Sequence, residues 1–271
     1  MRNVATSRLA LPIAIAALLA ATCASALGTS DANGAHQYVS PWRTPWTYEG
    51  PRGSEHWADL DSQYAACRGK RQSPIDIRDT QKADLPALRF DYKPALIPYV
   101  TNNGATIRVN YTAPGSGDFL TVGDMRYQLV QFHFHRPSEE LIKGNAYDMV
   151  LHLMHQSSDG KVAGVAVLLK AGKANATIAK LWAHMPNAEG DQDVAGLEIN
   201  PANMLPSSLG YYTYTGSQTA PPCNEGVKWF VLKTPVSVSA KQIAEFAKLY
   251  PRDVRPPQPL NGRVVQETRS D

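Results

Sequence analysis

The sequence has no long hydrophobic run beyond residue 21. Its one extended apolar segment, from Leu9 to Ala21, follows Arg2 and Arg8 and precedes Ala24-Ser25-Ala26, which is the pattern of a signal peptide with its cleavage site. The segment is shorter than the roughly 20 residues that a transmembrane helix needs. We therefore predict a signal peptide over residues 1–26, cleavage near Ala26, a periplasmic or secreted mature chain, and no stable membrane span.

Cysteine is scarce, and charge of one sign is not in large excess. Of three cysteines, Cys23 would leave with the signal peptide; a lipidated Cys23 is disfavoured because Thr22 fits a lipoprotein cleavage site poorly. Cys67 and Cys223 would remain, and in an oxidising compartment such a pair favours one disulfide over two buried thiols. The 27 basic and 24 acidic residues give no indication of nucleic acid as a partner.

The chain also lacks internal repeats and breaks in composition. Its length is sufficient for one substantial core. Residues 27–45 are polar with little periodicity and are predicted to be a flexible lead-in, followed by a single domain over residues 46–271.

What the sequence does contain is a series of alternating segments typical of strands. Residues 105–111 place Ile107 and Val109 on a core face and Arg108 and Asn110 on a polar face, which is a candidate pocket wall. Further strands are predicted over residues 118–122, 127–135, 148–155, 162–170, 211–215 and 227–233.

Helical patterns are few. One helix is predicted over residues 176–185 with Asn175 as N-cap, and another over 240–250 with a capping box from Ser239 to Gln242. The predicted fold class is therefore α+β and strand-dominated: a single domain on a large, mostly antiparallel central β-sheet with a few surface helices.

A candidate metal site stands at the end of the predicted strand 127–135. Side chains alternate along a strand, so His133 and His135 share one face with Gln131, and the intervening phenylalanines take the other. A neighbouring strand that carries His152 would complete the three-ligand set of a catalytic zinc. Zinc is favoured over copper because no Cys or Met completes a copper site, whereas spacing leaves iron and manganese open. A hydrogen-bonded core histidine is the ordinary alternative.

Five motifs in sequence order resemble those of α-class carbonic anhydrases of the exported bacterial kind. They are Gln131-Phe132-His133-Phe134-His135, Pro137-Ser138-Glu139, Leu151-His152-Leu153-Met154-His155, Ser217-Gln218-Thr219-Ala220-Pro221-Pro222-Cys223 and Pro259-Leu260-Asn261-Gly262-Arg263. The resemblance extends from Trp46 to Arg263. It implies a twisted sheet, a conical cleft ending at Zn²⁺, a Cys67 to Cys223 disulfide, and reversible hydration of carbon dioxide to bicarbonate by a zinc-bound hydroxide.

The resemblance also implies roles for single residues. The zinc ligands would be His133, His135 and His152, and Thr219 would accept a hydrogen bond from the hydroxide while donating its own proton to Glu139. His155 would be a buried structural residue. Further residues around the site would be Gln131 as hydrogen-bond acceptor of His133, and Tyr48, Arg108, Gln218, Ala220 and Ala105 in the pocket. Carbon dioxide and bicarbonate are the expected small-molecule partners. The sequence leaves the oligomeric state open, with a homodimer as one alternative.

Several positions depart from the family pattern. Val150 replaces the usual Glu two residues before the third ligand, and Glu140 replaces a His, so we interpret Glu140 as the substitute acceptor for His152. Gly164 replaces a Val and is expected to leave the substrate wall less full. Ala105 replaces a histidine that relays protons to solvent, which predicts slow proton export.

Three other classes remain as alternatives. A metal-free carbonic-anhydrase-like binding domain is disfavoured because all three ligand histidines are present. A cupin would share His133, His135 and Glu139, but its flanking glycines and second motif are absent. A structural zinc site would need a fourth protein ligand, and the two cysteines are expected to be bridged.

Overall fold

The computed structural model of the protein describes residues 29–30, 36–111 and 117–269 of the 271-residue chain. The predicted signal peptide and its cleavage site lie outside the described residues. The helices are α1 (Trp57–Leu60), α2 (Ala176–Trp182) and α3 (Ala240–Leu249), with 3-10 turns at Gly50–Arg52, Ser62–Arg68 and Pro201–Met204. The strands are β1 (Thr29–Ser30), β2 (His36–Gln37), β3 (Asp76–Ile77), β4 (Thr80–Ala83), β5 (Leu88–Asp91), β6 (Ala95–Leu96), β7 (Tyr99–Asn102), β8 (Ile107–Asn110), β9 (Phe119–Val122), β10 (Met125–His135), β11 (Leu141–Ile142), β12 (Met149–Gln156), β13 (Val162–Ala171), β14 (Gly190–Asp193), β15 (Glu198–Ile199), β16 (Tyr211–Ser217), β17 (Glu225–Val238) and β18 (Val265–Thr268).

A large twisted sheet of 12 strands forms the centre of the domain. Its main path runs β14-β7-β8-β10-β12-β13-β17-β16-β18-β4, while β9 pairs with β10 and β5 pairs with β9. The pairs β13–β17 and β18–β4 are parallel, and the other pairs of this sheet are antiparallel. The predicted strand-dominated class is confirmed, as a mixed sheet in which antiparallel pairs predominate.

The two sheet faces bury different sets of side chains. The larger cluster includes Phe132 and Phe134 of β10 and the buried faces of α2 and α3, where Trp182 packs against Phe246 at 5.6 Å between ring centroids. The smaller cluster, on the face that also carries His152, includes Val150, Ala166 and Trp229. The central strands are therefore buried on both sides, which explains their nearly continuous apolar character.

The helix starts follow the predicted caps. Asn175 accepts hydrogen bonds from the first turn of α2, and Ser239 with Gln242 forms a complete capping box on α3. Helix α2 ends at Trp182 rather than Met185, because the backbone of residues 184 and 185 turns to i→i−3 hydrogen bonds ahead of Pro186, which disfavours helical geometry in the residue before it. The strands that the sequence does not predict have only two to four residues, which is too short for a detectable alternation.

A bulge in β10 determines which side chains face the metal site. Against β12, Leu129 pairs with His155 and Gln131 pairs with Met154, so Val130 is an extra residue. In a regular strand Leu129 and Gln131 would point to the same face, whereas here Leu129 lies in the larger core cluster together with Phe132. A bulge shifts the alternation by one residue, and it turns Gln131 and the histidines after it away from that core.

The end of the predicted lead-in touches the domain. The Trp42 indole donates a hydrogen bond to the Asn103 carbonyl at 2.7 Å and packs edge-on against Trp46. The Thr44 hydroxyl donates to Asp61 at 2.6 Å. Packing contacts therefore begin several residues before Trp46, although the limits of residues 27–45 as a segment stay a prediction.

None of the helices in the described ranges has the length and apolar character that a membrane crossing requires. Cys67 and Cys223 form a disulfide, which confirms the predicted pairing. The bridge is buried beside Trp57 and Tyr64, so it ties the N-terminal segment to the loop that follows β16.

We expect Cys67→Ser to lower the thermal unfolding midpoint. The bridge closes a loop with a sequence separation of 156 residues, and its loss would cost up to about 5 kcal/mol if chain entropy alone acted. Calorimetry of variant and parent measures the difference, and the parent heated with a thiol reductant should match the variant. Two titratable thiols in the native, unreduced parent would contradict the bridge.

Candidate metal centre

Two of the three candidate metal ligands, His133 and His152, lie on one row of residues that crosses the sheet. His133 of β10 pairs directly with His152 of β12 on one side and with Arg108 of β8 on the other. Arg108 in turn pairs with Thr101 of β7. Residues directly opposite each other point to the same face with Cβ atoms about 5 Å apart. The strand register therefore places His152 next to His133, as the sequence predicted, and places Arg108 on the opposite side of His133, two strands from His152.

The three imidazoles converge on one point. One ring nitrogen from each of His133, His135 and His152 lies within 4.8 Å of the others, and the ring centroids are 4.9–5.2 Å apart. His135 and His152 are fully buried. These three residues could therefore hold a metal ion.

The Nδ1 atoms of His133 and His135 are both hydrogen-bonded. His133 Nδ1 donates to Gln131 Oε1 at 2.8 Å, and His135 Nδ1 donates to the Asp253 carbonyl at 2.7 Å. These hydrogen bonds fix the proton on Nδ1 and leave Nε2 as the free electron-pair donor in both rings.

The third histidine is oriented in the opposite sense. His152 Nε2 lies 3.0 and 3.2 Å from the two carboxylate oxygens of Glu140, so Nδ1 is the nitrogen left free. The residue opposite His135 on β12 is the apolar Val150, and the buried Glu140 reaches His152 from the loop after β10 instead. This is the contact that the departures in the sequence led us to expect.

The free atoms around the centre fit a cation. His135 Nε2 and His152 Nδ1 are buried and have no hydrogen-bond partner among the described residues, and the same holds for Glu139 Oε2 and Asp253 Oδ2. A buried polar atom left unpaired costs about 1–3 kcal/mol. A divalent metal would take up the two nitrogens and would offset the charge of the buried carboxylates, which is a requirement for burying them.

The ring environments shift the histidine pKa values in different directions. Burial holds the pKa of His133 and His135 well below 6.5. Burial acts the same way on His152, but the Glu140 carboxylate outweighs it and raises the pKa of that ring. The first two rings are thus neutral at ordinary pH, which is the form that binds metals.

A second carboxylate, that of Glu139, lies beside the three histidines. Its Oε1 accepts from the backbone N–H of Arg255 at 2.9 Å, its Oε2 lies 3.5 Å from His135 Nε2, and it accepts a hydrogen bond from Thr219. Burial raises the Glu139 pKa to about 7, with Glu140 adding to the effect and these hydrogen bonds opposing it. Thr219 and Glu139, distant in sequence, are therefore in contact beside the histidines.

The histidines lie in a cleft with a cavity volume of about 380 Å³. All pocket residues singled out in the sequence line it, namely Tyr48, Ala105, Arg108, Gln131, Gln218 and Ala220. Burial, followed by the nearby Glu139 and Asp253, raises the pKa of Tyr48, so its hydroxyl stays protonated.

The expectation of a less full wall at Gly164 is wrong. A Cβ atom there would lie 2.7 Å from the indole ring of Trp229, so the ring already fills the space that a valine would take. Trp229 donates to the Ser217 carbonyl at 2.9 Å and lies 4.8 Å from His152 between ring centroids. The glycine allows this close approach of the indole to the metal centre.

His155 takes no part in the histidine cluster. It is buried, and its Nε2 lies 2.5 Å from the Tyr92 hydroxyl; burial lowers its pKa to about 3. Asp253, Trp42 and Trp229 also lie at or near the site and were not predicted from the sequence. Asp253 follows α3 in a segment without periodicity, so no local pattern could have indicated it.

The sheet and its three-histidine centre define a metalloenzyme of the carbonic anhydrase class, and comparison with known proteins agrees. The family model for eukaryotic-type carbonic anhydrase matches residues 52–269. A carbonic anhydrase of Neisseria gonorrhoeae is 41% identical over 226 residues, covering 83% of this chain and 88% of that protein. A carbonic anhydrase of Nostoc sp. is 38% identical over 250 residues, covering 90% and 93%.

A solved structure gives the same result. The α-carbonic anhydrase from Thermovibrio ammonificans, in complex with the inhibitor sulfanilamide, is 40% identical, with a TM-score of 0.78 over 83% of this chain and 100% of that one. The chain belongs to the α-class carbonic anhydrase family and is a carbonic anhydrase enzyme.

We expect Glu140→Gln to weaken metal retention. The glutamine amide can still accept a hydrogen bond from His152, but it removes the negative charge that makes the ring a stronger electron-pair donor to a metal. Loss of such a partner typically costs about 10–100-fold in metal affinity. Competition with a chelator measures the change, and Glu198→Gln, an exposed position on β15, is the matched control. Equal rates of metal loss in Glu140→Gln and parent would contradict the role.

Proposed function

We propose that the protein is a zinc enzyme that reversibly hydrates carbon dioxide to bicarbonate and a proton. The observation that carries this proposal is the set of three converging imidazoles, each with its second nitrogen bonded. Three imidazole nitrogen donors suit zinc, and His133, His135 and His152 would hold it. When bound, zinc supplies Lewis-acid activation of a water molecule, whose pKa it lowers to about 7, a value known for carbonic anhydrases in general and not obtained from this chain.

The chain's own residues would orient the reactants. Thr219 donates its proton to Glu139, so its oxygen is left to accept a hydrogen bond from the attacking water or hydroxide. A nucleophile held in this way keeps a lone pair directed at the substrate. Thr219 would also disfavour ligands that have no proton to donate, because its oxygen could only repel them.

The substrate would lie against apolar surface. Trp229 and Val162 line the cleft beside the histidines, and an apolar wall suits carbon dioxide better than it suits water. Trp229 packs closely against Gly164 on this wall, whereas the loop after β16 adds the polar Gln218 and the small Ala220 to the lining.

Proton export is the step for which the chain lacks a dedicated residue. Ala105 lines the cleft where a relay histidine would serve, and an alanine cannot titrate. Among the described residues of the cleft, His155 is the one histidine outside the proposed ligand set, and its pKa of about 3 and its bond to Tyr92 exclude it. We therefore infer that proton transfer to solvent limits turnover.

We further infer export of the protein to the periplasm after cleavage near Ala26. The disulfide between Cys67 and Cys223 supports this location, because disulfides form and persist in oxidising compartments. Residues 27–45 would then precede the catalytic domain.

The mature protein should contain one zinc per chain and hydrate carbon dioxide. His135→Ala removes one of the three proposed zinc ligands, so it should abolish both zinc binding and carbon dioxide hydration. Metal content by mass spectrometry and stopped-flow hydration measure them. Full activity in the His135→Ala variant would contradict the proposal, and Arg89→Gln, on the exposed side of β5, should behave as the parent.

Turnover should rise with buffer concentration. A group with a pKa near 7 releases protons to water at roughly 10³–10⁴ per second, because proton return is limited by diffusion. Added imidazole should accelerate the parent several-fold, and Ala105→His should be faster than the parent in dilute buffer, while kcat/KM changes little.

Ala105→Gln is the matched control, since it fills the same space without titrating near neutral pH. A parent whose turnover does not depend on buffer concentration would show that another group exports the proton.

A further inference from the structure

Arg108 is a cation on the wall of the metal cleft. It stands on β8 directly opposite His133, so the two side chains point to the same face, one strand spacing apart. Its side chain lines the cleft together with His133, Gln131 and Asn110. The positive charge is close enough to contribute to the lowered pKa of His133.

The guanidinium of Arg108 is unusual because its donors are unused. Within the described residues it donates no hydrogen bond and closes no ion pair, and its Nε is buried without a partner. The buried Arg255 differs in its terminal nitrogens: its Nε is likewise unpartnered, but its Nη1 and Nη2 donate to Gln72 and to two carbonyls. An arginine stays charged in proteins, so Arg108 brings a positive charge without a hydrogen-bonded partner, and free donors, into the cleft.

Titratable groups lie near Arg108, but it donates no hydrogen bond to any of those that the structure describes. Burial lowers the pKa of Arg108, and the electrostatic effects of Tyr38, Asp191 and Tyr99 oppose that shift. Thr101, its neighbour on β7, donates to Asp191 Oδ1, which directs that carboxylate toward the threonine.

We propose that Arg108 is an anion-binding residue of the cleft and that it holds a planar monovalent oxyanion, bicarbonate, beside the metal centre. The planar fork of a guanidinium matches a carboxylate with two parallel hydrogen bonds. The proposal rests on the proposed function for the identity of the anion, but the unpaired guanidinium is a property of the chain itself.

Two consequences follow for the reaction. Bicarbonate is the product of hydration, so a cation on the wall increases its residence in the cleft and strengthens product inhibition. In the reverse direction the same contact lowers the bicarbonate concentration that half-saturates the enzyme. Arg108 thus favours the anion over neutral carbon dioxide, which gains little from a cation.

The test is calorimetric titration of the metal-loaded mature protein with bicarbonate at fixed pH and ionic strength, with chloride as a spherical anion for comparison. Arg108→Gln should weaken bicarbonate binding about 10-fold or more, the loss expected for charge-assisted hydrogen bonds, and should affect chloride less. Arg108→Lys should fall between, because a lysine keeps the charge without the fork. Arg89→Gln, which removes the same charge at an exposed position, should bind as the parent does.

Equal bicarbonate affinity in Arg108→Gln and parent would overturn the proposal, as would an equal loss in Arg89→Gln, which would show an effect of net charge alone. If Arg108→Gln does not fold, parent-like bicarbonate binding by Arg108→Lys would overturn the proposal. The titration needs no turnover, so a parent without hydration activity would refute the proposed function and leave this result readable. Metal content is measured for every variant, and affinities are compared per bound metal.

Discussion

The hydrogen bond at the second nitrogen of each histidine is the constraint on which the site depends. An imidazole has two nitrogens, and only the one without a proton can bind a metal. Gln131, the Asp253 carbonyl and Glu140 each accept the proton of one ring. They select Nε2 for His133 and His135 and Nδ1 for His152, so the choice of donor atoms is built into the fold before any metal is bound.

The sheet supplies the positions that these bonds then refine. The extra residue Val130 turns the end of β10 so that its histidines face the cleft while Phe132 and Phe134 face the larger core. The direct pairing of His133 with His152 and with Arg108 brings two donors and a cation into one row. A register slip of one residue would turn each of these side chains to the opposite face. Burial of Phe132 and Phe134 disfavours such a slip and therefore also keeps the histidines on the cleft face.

The parts of this site that could be predicted are those encoded locally. Alternation along β8 and β10 is a property of neighbouring residues, so the histidine pair and the polar position of Arg108 were visible in the sequence. The partner of His135 was not visible, because Asp253 lies 118 residues away in an irregular segment. The wall at Gly164 was misjudged for a similar reason: the ring that fills it belongs to another strand, and its position depends on packing.

Anomalous diffraction from crystals of the mature protein, measured on both sides of the zinc absorption edge, tests the central claim most directly. We predict one zinc peak within coordination distance, about 2.0–2.1 Å, of His133 Nε2, His135 Nε2 and His152 Nδ1, with Glu140 hydrogen-bonded to the opposite nitrogen of His152. A peak bound through His152 Nε2, a fourth protein ligand, or no zinc at the three histidines in a zinc-loaded crystal would contradict it.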